Sequence, residues 1–169
     1  MAFQQVINIT QALAVEGQFA SANPRHALPS VEGGWRAGSG GVQIGMFCWV
    51  DATNTLVSST GAGLPSGFVA NVLEGLNMAY FGTPGAAGLF IPPGFGVGNI
   101  FNGGDFWVKN RGAGAVVVGM KAFAGNQNSS GIQFAAAGTV IANWTETKFV
   151  AGTAGAPNEL VKMQSTPFG

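Results

Sequence analysis

Gly41-Val-Gln-Ile-Gly-Met-Phe-Cys-Trp-Val-Asp51 is the most informative stretch of the chain, a β-branched and aromatic run that ends on the turn residues Asp51-Ala-Thr-Asn54. It has no 3.6-residue periodicity, and such runs bounded by turn chemistry read as strands. The pentapeptide Val42-Gln-Ile-Gly-Met46 returns 74 positions later as Val116-Val-Val-Gly-Met120, and the likeness continues with Phe123 for Trp49 and Asn128 for Asn54. Two readings are open: a chance likeness of two strand–turn pieces, or equivalent hairpins in two halves of a sandwich or barrel.

Working outward, further runs of the same kind cover Gly67 to Leu73, Asp105 to Lys109, Ala115 to Ala124, Gly131 to Phe134, Gly138 to Trp144 and Glu159 to Met163. Turn signals separate them, among them Leu64-Pro-Ser-Gly67, Asn102-Gly-Gly104, Asn126-Gln-Asn-Ser-Ser130 and Gly155-Ala-Pro-Asn158. Glycine, at 28 residues, recurs too often for long helices. The fold class expected is therefore all-β: a single-domain sandwich, jelly-roll-like or closed barrel with an extended N-terminal arm. Residues 1–30 form the arm, because Asn23-Pro-Arg-His-Ala-Leu-Pro29 carries little to anchor a packed element, and residues 31–169 form the β domain. An unsupported extended segment seeks a strand to pair with, on its own body or a neighbour's.

Residues 75–104 contain no charge, which raises the question of a membrane helix. Nine glycines and three prolines (Pro84, Pro92, Pro93) would break such a helix and leave backbone groups unpaired in lipid, so the stretch reads as a long excursion of short extended pieces.

Seven Lys or Arg balance seven Asp or Glu, and charged residues make up 8% of the chain against about a quarter in ordinary soluble domains. With zero net charge, no long-range field draws the protein to nucleic acid or to anionic lipid. Much of the surface must be apolar or merely polar, and such a surface expects a partner. No basic segment opens the chain, so synthesis and use in a reducing cytoplasm is the simplest expectation.

Chemistry-bearing residues are scarce. The single cysteine, Cys48, sits in an apolar run and reads as a small hydrophobe. The single histidine, His26, has no nucleophile motif around it. One His, one Cys and unclustered acids do not make a metal site within one chain, and no cofactor is expected. Gly94-Phe-Gly-Val-Gly98 fails the spacing of a dinucleotide loop. Paired carboxylates remain conceivable in Asp51 with Asp105 or Glu146, although solvated strand ends explain these acids more simply. Trp35, Trp144 or Tyr80 could offer a sugar platform, which keeps a β-sandwich lectin or adhesin as the alternative to a purely structural role.

Several segments together resemble the structural cement, or decoration, proteins of tailed bacteriophage capsids. The likeness is carried by Ala12-Leu-Ala-Val-Glu-Gly-Gln-Phe-Ala-Ser-Ala-Asn-Pro-Arg25, by Gly41 to Asp51, by Pro65-Ser-Gly-Phe-Val69, by Ile91-Pro-Pro-Gly-Phe95 leading into Gly104-Asp-Phe-Trp-Val-Lys109, and by Gly119-Met-Lys-Ala-Phe123. Gly82 to Leu89 falls outside the pattern. The resemblance implies a non-enzymatic virion protein on the capsid exterior that clamps neighbouring major capsid proteins, working as a homo-oligomer, a dimer or trimer, with no nucleic acid or membrane partner. The expected capsid contacts are Phe3, Gln4, Gln5, Ile7 and Arg25 in the arm and Tyr80, Phe81 and Phe90 in the excursion, with Arg25 as the polar anchor.

Overall fold

The computed structural model describes residues 14–72, 89–98, 100–126 and 131–165, and the regular structure in them is β throughout. In chain order the strands are β1 (His26–Ala27), β2 (Trp35–Ala37), β3 (Val42–Gln43), β4 (Phe47–Val50), β5 (Leu56–Ser58), β6 (Gly67–Val69), β7 (Phe90–Ile91), β8 (Gly96–Val97), β9 (Ile100–Gly103), β10 (Asp105–Lys109), β11 (Lys121–Gly125), β12 (Ile132–Ala135), β13 (Trp144–Ala151) and β14 (Leu160–Gln164). They form a seven-stranded sheet ordered β1-β9-β6-β4-β5-β2-β8, a five-stranded sheet ordered β10-β14-β13-β11-β12, and the small β3–β7 pair. No sheet closes into a barrel, so the all-β expectation holds in its sandwich form.

The run from Gly41 to Asp51 is broken at Gly45, whose φ of 80° suits glycine. The second copy breaks in the same way at Gly119, with φ 90°. Their hydrogen bonds coincide as well. Gly45 N–H donates to Val69 and Val69 N–H to Met46, while Gly119 N–H donates to Ala151 and Ala151 N–H to Met120. The strand registers then agree pair by pair. Phe47 opposite Phe68 matches Lys121 opposite Val150, and Trp49 opposite Ser58 matches Phe123 opposite Gln133. Val69 opposite Ile100 matches Ala151 opposite Met163, and Val42 opposite Ile91 matches the isolated bridge from Val116 to Gly155. The equivalence reaches the turn after β7: Phe95 N–H to Pro92 and Gly94 N–H to Ala37 match Glu159 N–H to Ala156 and Asn158 N–H to Asn110. Gly94 and Asn158 there share the left-handed conformation, φ 79° and 67°.

The chain is therefore two copies of one five-strand unit. β1-β9-β6-β4-β5 in the first has the order of β10-β14-β13-β11-β12 in the second. The uninterrupted β10 and β14 of the second unit stand where the first has β1 with β2 and β8 with β9. Lys109 pairs with Leu160 as Arg36 pairs with Gly96.

The units pack through unlike faces. On the first sheet Cys48, Val57, Val69 and Ile100 point into a core shared with Trp35, Ala37 and Val97, entirely within the first unit. The alternate residues Phe47, Trp49 and Phe68 point the other way and meet Phe106, Val108, Ala122, Ile132, Phe149 and Met163 of the second. Ala122, Ile132 and Met163 are the counterparts of Cys48, Val57 and Ile100, so the inner face of the second unit seats the outer face of the first. Rings dominate this junction: the centroids of Phe68 and Phe106 lie 4.5 Å apart and those of Phe47 and Phe149 5.6 Å apart. Each fully buried Phe contributes on the order of 1.5–3 kcal/mol by leaving water.

Two sequence expectations are corrected. The strand expected over Gly138 to Trp144 lies instead at Trp144–Ala151. Asn143 has φ 64° and Gly138 φ 76°, which no continuous strand accommodates, and Val140 between them is 97% exposed. The strand expected over Ala115 to Ala124 begins only at Lys121, after the Gly119 turn.

Candidate interaction surfaces

The part of the arm that is described does not hang free. Gly17 N–H donates to the Trp107 carbonyl, Trp107 N–H to Gln18 and Ala20 N–H to Asp105, so residues 17–20 lie as an extra strand along the β10 edge, with Phe19 bridging to Phe106. A few residues on, β1 pairs with β9 of the other sheet and Leu28 N–H donates to Ile100. One extended segment thus laces the two sheets together along their shared margin. Its sequence allows this because Phe19 supplies a ring to the junction, 5.2 Å from that of Phe101, while small polar residues follow.

Asp105 locks the lacing. It is 3% exposed, it takes hydrogen bonds from Ser21 Oγ at 2.6 Å and Asn23 Nδ2 at 2.8 Å, and it pairs with Lys162 Nζ at 3.1 Å. All three contacts fall on Oδ2, and a cation with two hydrogen-bond donors there offsets the cost of burying the carboxylate. Arg111 and Glu16 form a second ion pair at 3.0 Å, at the upstream end of the lacing. The guanidinium of Arg25 lies 3.6 Å from the centroid of Phe19 and donates weakly to the Ser21 carbonyl, so the residue expected to anchor a partner stacks on its own arm while remaining exposed to solvent.

Asp51, Glu146 and Cys48 serve local structure. Asp51 accepts from Thr53 Oγ1 and from the amides of Thr55 and Leu56, closing the β4–β5 turn, and these bonds hold its carboxyl down at about 2. Glu146 accepts from Gly138 N–H at 2.7 Å, and so fixes the loop before β13. Asp51, Asp105 and Glu146 have separate hydrogen-bond partners and do not share one site. Cys48 is buried in the first unit's core, where burial pushes the thiol up to about 12. Among the described residues no group of three His, Cys, Asp or Glu could hold a metal ion, and no helix is long and apolar enough to cross a membrane.

The tryptophans are mostly structural. Trp35 and Trp49 are buried, with their ring N–H groups donating to Asn54 and to the Gly63 carbonyl, which removes Trp35 from the sugar-platform reading. Trp107 and Trp144 are half-buried in strands. A cavity of about 220 Å³ opens between the units beside Phe47, Leu64, Thr147 and Phe149, below the roughly 300 Å³ of ordinary ligand pockets.

Comparing the two units shows where the chain departs from its own scaffold. From the last residue of the strand to the bridge partner, the second unit runs directly from Ala151 to Gly155, whereas the first runs from Val69 to Ile91. The extra length takes in residues 73–88, the charge-poor excursion, which lie outside the described residues. Phe3, Gln4, Gln5, Ile7, Tyr80 and Phe81 also lie outside them. Phe90 is described: it pairs with Gln43 in the β3–β7 ladder, half-buried, with its ring against Gly41.

A search of curated proteins finds no match to the sequence. The family model described as XM1 gp53 minor capsid protein matches residues 3–165, nearly the whole of both units, and the chain belongs to that family.

Proposed function

We propose that this phage capsid structural protein binds the outer surface of the assembled shell and clamps neighbouring major capsid proteins together. The observation that carries the reading is the family match across residues 3–165, which makes the protein a minor component of a capsid. What the fold adds is economy. A twice-used β unit whose Asp51, Asp105, Glu16 and Glu146 are committed to turns and lacing is suited to offering shape and apolar surface rather than chemistry, and binding on a lattice gains from many modest contacts acting at once. A standard interface buries about 1,600 Å² and draws its affinity from a few aromatic anchors.

Within this reading the insertion at residues 73–88 is the shell-binding element, with Tyr80 and Phe81 as anchors and Phe90 at its exit. Support comes from the second unit, which completes the same scaffold without the insertion. Arg25 serves the arm's own packing, and Phe3, Gln4, Gln5 and Ile7 contact a neighbouring subunit. The test replaces residues 73–88 by the short connection of the second unit, residues 152–154, and measures occupancy on empty shells. The expected variant folds with native tryptophan fluorescence and no longer binds. Undiminished occupancy would remove the insertion from the account.

A further inference from the structure

The duplication also exposes what the second unit lacks. In the first unit the Gly45 turn is covered. Ile44 N–H donates to the Leu89 carbonyl at 2.7 Å, Ile44 is buried, and Glu16 and Gly17 lie so close that a Cβ on Gly45 would meet Glu16 Cγ at 2.9 Å. Asn71 fastens that cover, its amide donating to the Gly17 carbonyl and its side chain to that of Glu16. At the equivalent Gly119 turn there is no cover. The Val118 amide, counterpart of Ile44, finds no acceptor among the described residues, a Cβ on Gly119 would have nothing within 4 Å, and Val117 and Val118 are 59% and 46% exposed.

We infer that the Val117–Gly119 turn of the second unit is the docking site for residues 1–13 of a second copy of this chain. In the first unit the cover at this place is the Glu16–Gly17 turn of the arm together with the Leu89 carbonyl, and residues 1–13, immediately upstream of that turn, lie outside the described residues. Met1 to Leu13 carries no charge and offers Phe3, Val6, Ile7 and Ile9 to an equally uncharged patch. Extended, thirteen residues reach on the order of 40 Å beyond Ala14. A docked strand supplies the carbonyl that Val118 N–H lacks and removes both valines from water, the usual terms of strand addition.

The test uses the full chain with no shell present, so that its outcome is independent of the capsid reading. Native Cys48 is buried and its thiol stays protonated, so introduced cysteines report alone. A Val118→Cys chain mixed with an Ile7→Cys chain should give a cross-linked pair that neither variant gives with wild type. By sedimentation velocity, Val118→Asp and deletion of residues 2–10 should each weaken self-association about tenfold, and the double variant no further. Fluorescence of the buried Trp35 and Trp49 reports whether Val118→Asp keeps its fold, and the cross-link, made in a variant that adds no charge, stands without it. A link found only within one chain of a doubly substituted protein, or none, overturns the inference. So does unchanged self-association of Val118→Asp alongside reduced occupancy on shells, which would assign the turn to a different protein.

Discussion

Phe106 joins the two units, and its replacement by Ala tests whether they fold as one. The side chain is fully buried, and its ring lies 4.5 Å from Phe68, 5.5 Å from Phe19, 6.0 Å from Phe101 and 6.3 Å from Phe149, so partners from the arm and from both units converge on it. Truncating a core Phe to Ala costs about 3–5 kcal/mol. Four ring partners, each pair adding roughly 0.5–1.5 kcal/mol beyond burial, put this site at the upper end, about 5 kcal/mol. With a urea slope of about 2 kcal/mol/M, the midpoint should fall by roughly 2.5 M. The assay is urea unfolding of a Trp107→Phe, Trp144→Phe background, in which the remaining Trp35 and Trp49 both report on the first unit. Because Phe106 belongs to the second unit, a shift in that signal measures coupling across the junction. A midpoint that stays within about 0.5 M, or a biphasic curve whose first-unit phase does not move, would refute the single cooperative core.

Gly45→Ala and Gly119→Ala separate the two turns. Both pay about 1 kcal/mol for Ala at positive φ, but only the first also drives a Cβ into Glu16, so thermal unfolding should show Gly45→Ala as clearly the more damaging. Asp105→Asn should cost about 2 kcal/mol by weakening the bond to Lys162 and the acceptance from Ser21 and Asn23. It should also speed tryptic cleavage after Arg25 in the loosened lacing, and an unchanged cleavage rate would count against the lock. Asp51, held at about 2, should stabilise the fold above the ordinary carboxylate range near 4, with that contribution lost as pH falls from about 4 through 2. Unfolding temperatures of wild type and Asp51→Asn should therefore converge over this acid window, and a constant gap would contradict it.

The sequence carries its local chemistry plainly and its long-range pairing hardly at all. β10 is legible as Asp105 to Lys109 because the aromatic and β-branched run Phe106-Trp-Val108 is bounded by one charge on each side within five residues. The duplication shows only around Val42 and Val116, where the left-handed glycine and the packed valine constrain residue type. Elsewhere equivalent positions share a backbone role and little else: Trp35 and Val108, Ile100 and Met163, or Ala37 and the buried Asn110, whose side chain is satisfied by the Gly114 and Ala156 carbonyls and the Gly112 amide. β13 was hidden because Thr145-Glu-Thr-Lys148 looks like a solvated turn, yet Thr147 turns inward and bonds the Ala122 carbonyl. That the arm pairs with β10 is a choice of edge, settled by Phe19 reaching the rings of Phe101 and Phe106, both more than 80 positions away. Candidate contacts outside the described residues rest on sequence chemistry alone, whereas Arg25 is legible as exposed but not as a partner for Phe19.

Seating the outer face of one unit in the inner face of the next is a rule that could be repeated indefinitely, and identical modules obeying it would grow into a fibre. The outer face of the second unit places Lys121 where the first has Phe47, so a further module seated there in the same way would have to strip water from an ammonium. A cation in place of a ring thus gives the corresponding faces of the two units opposite tastes, one for a neighbour and one for solvent.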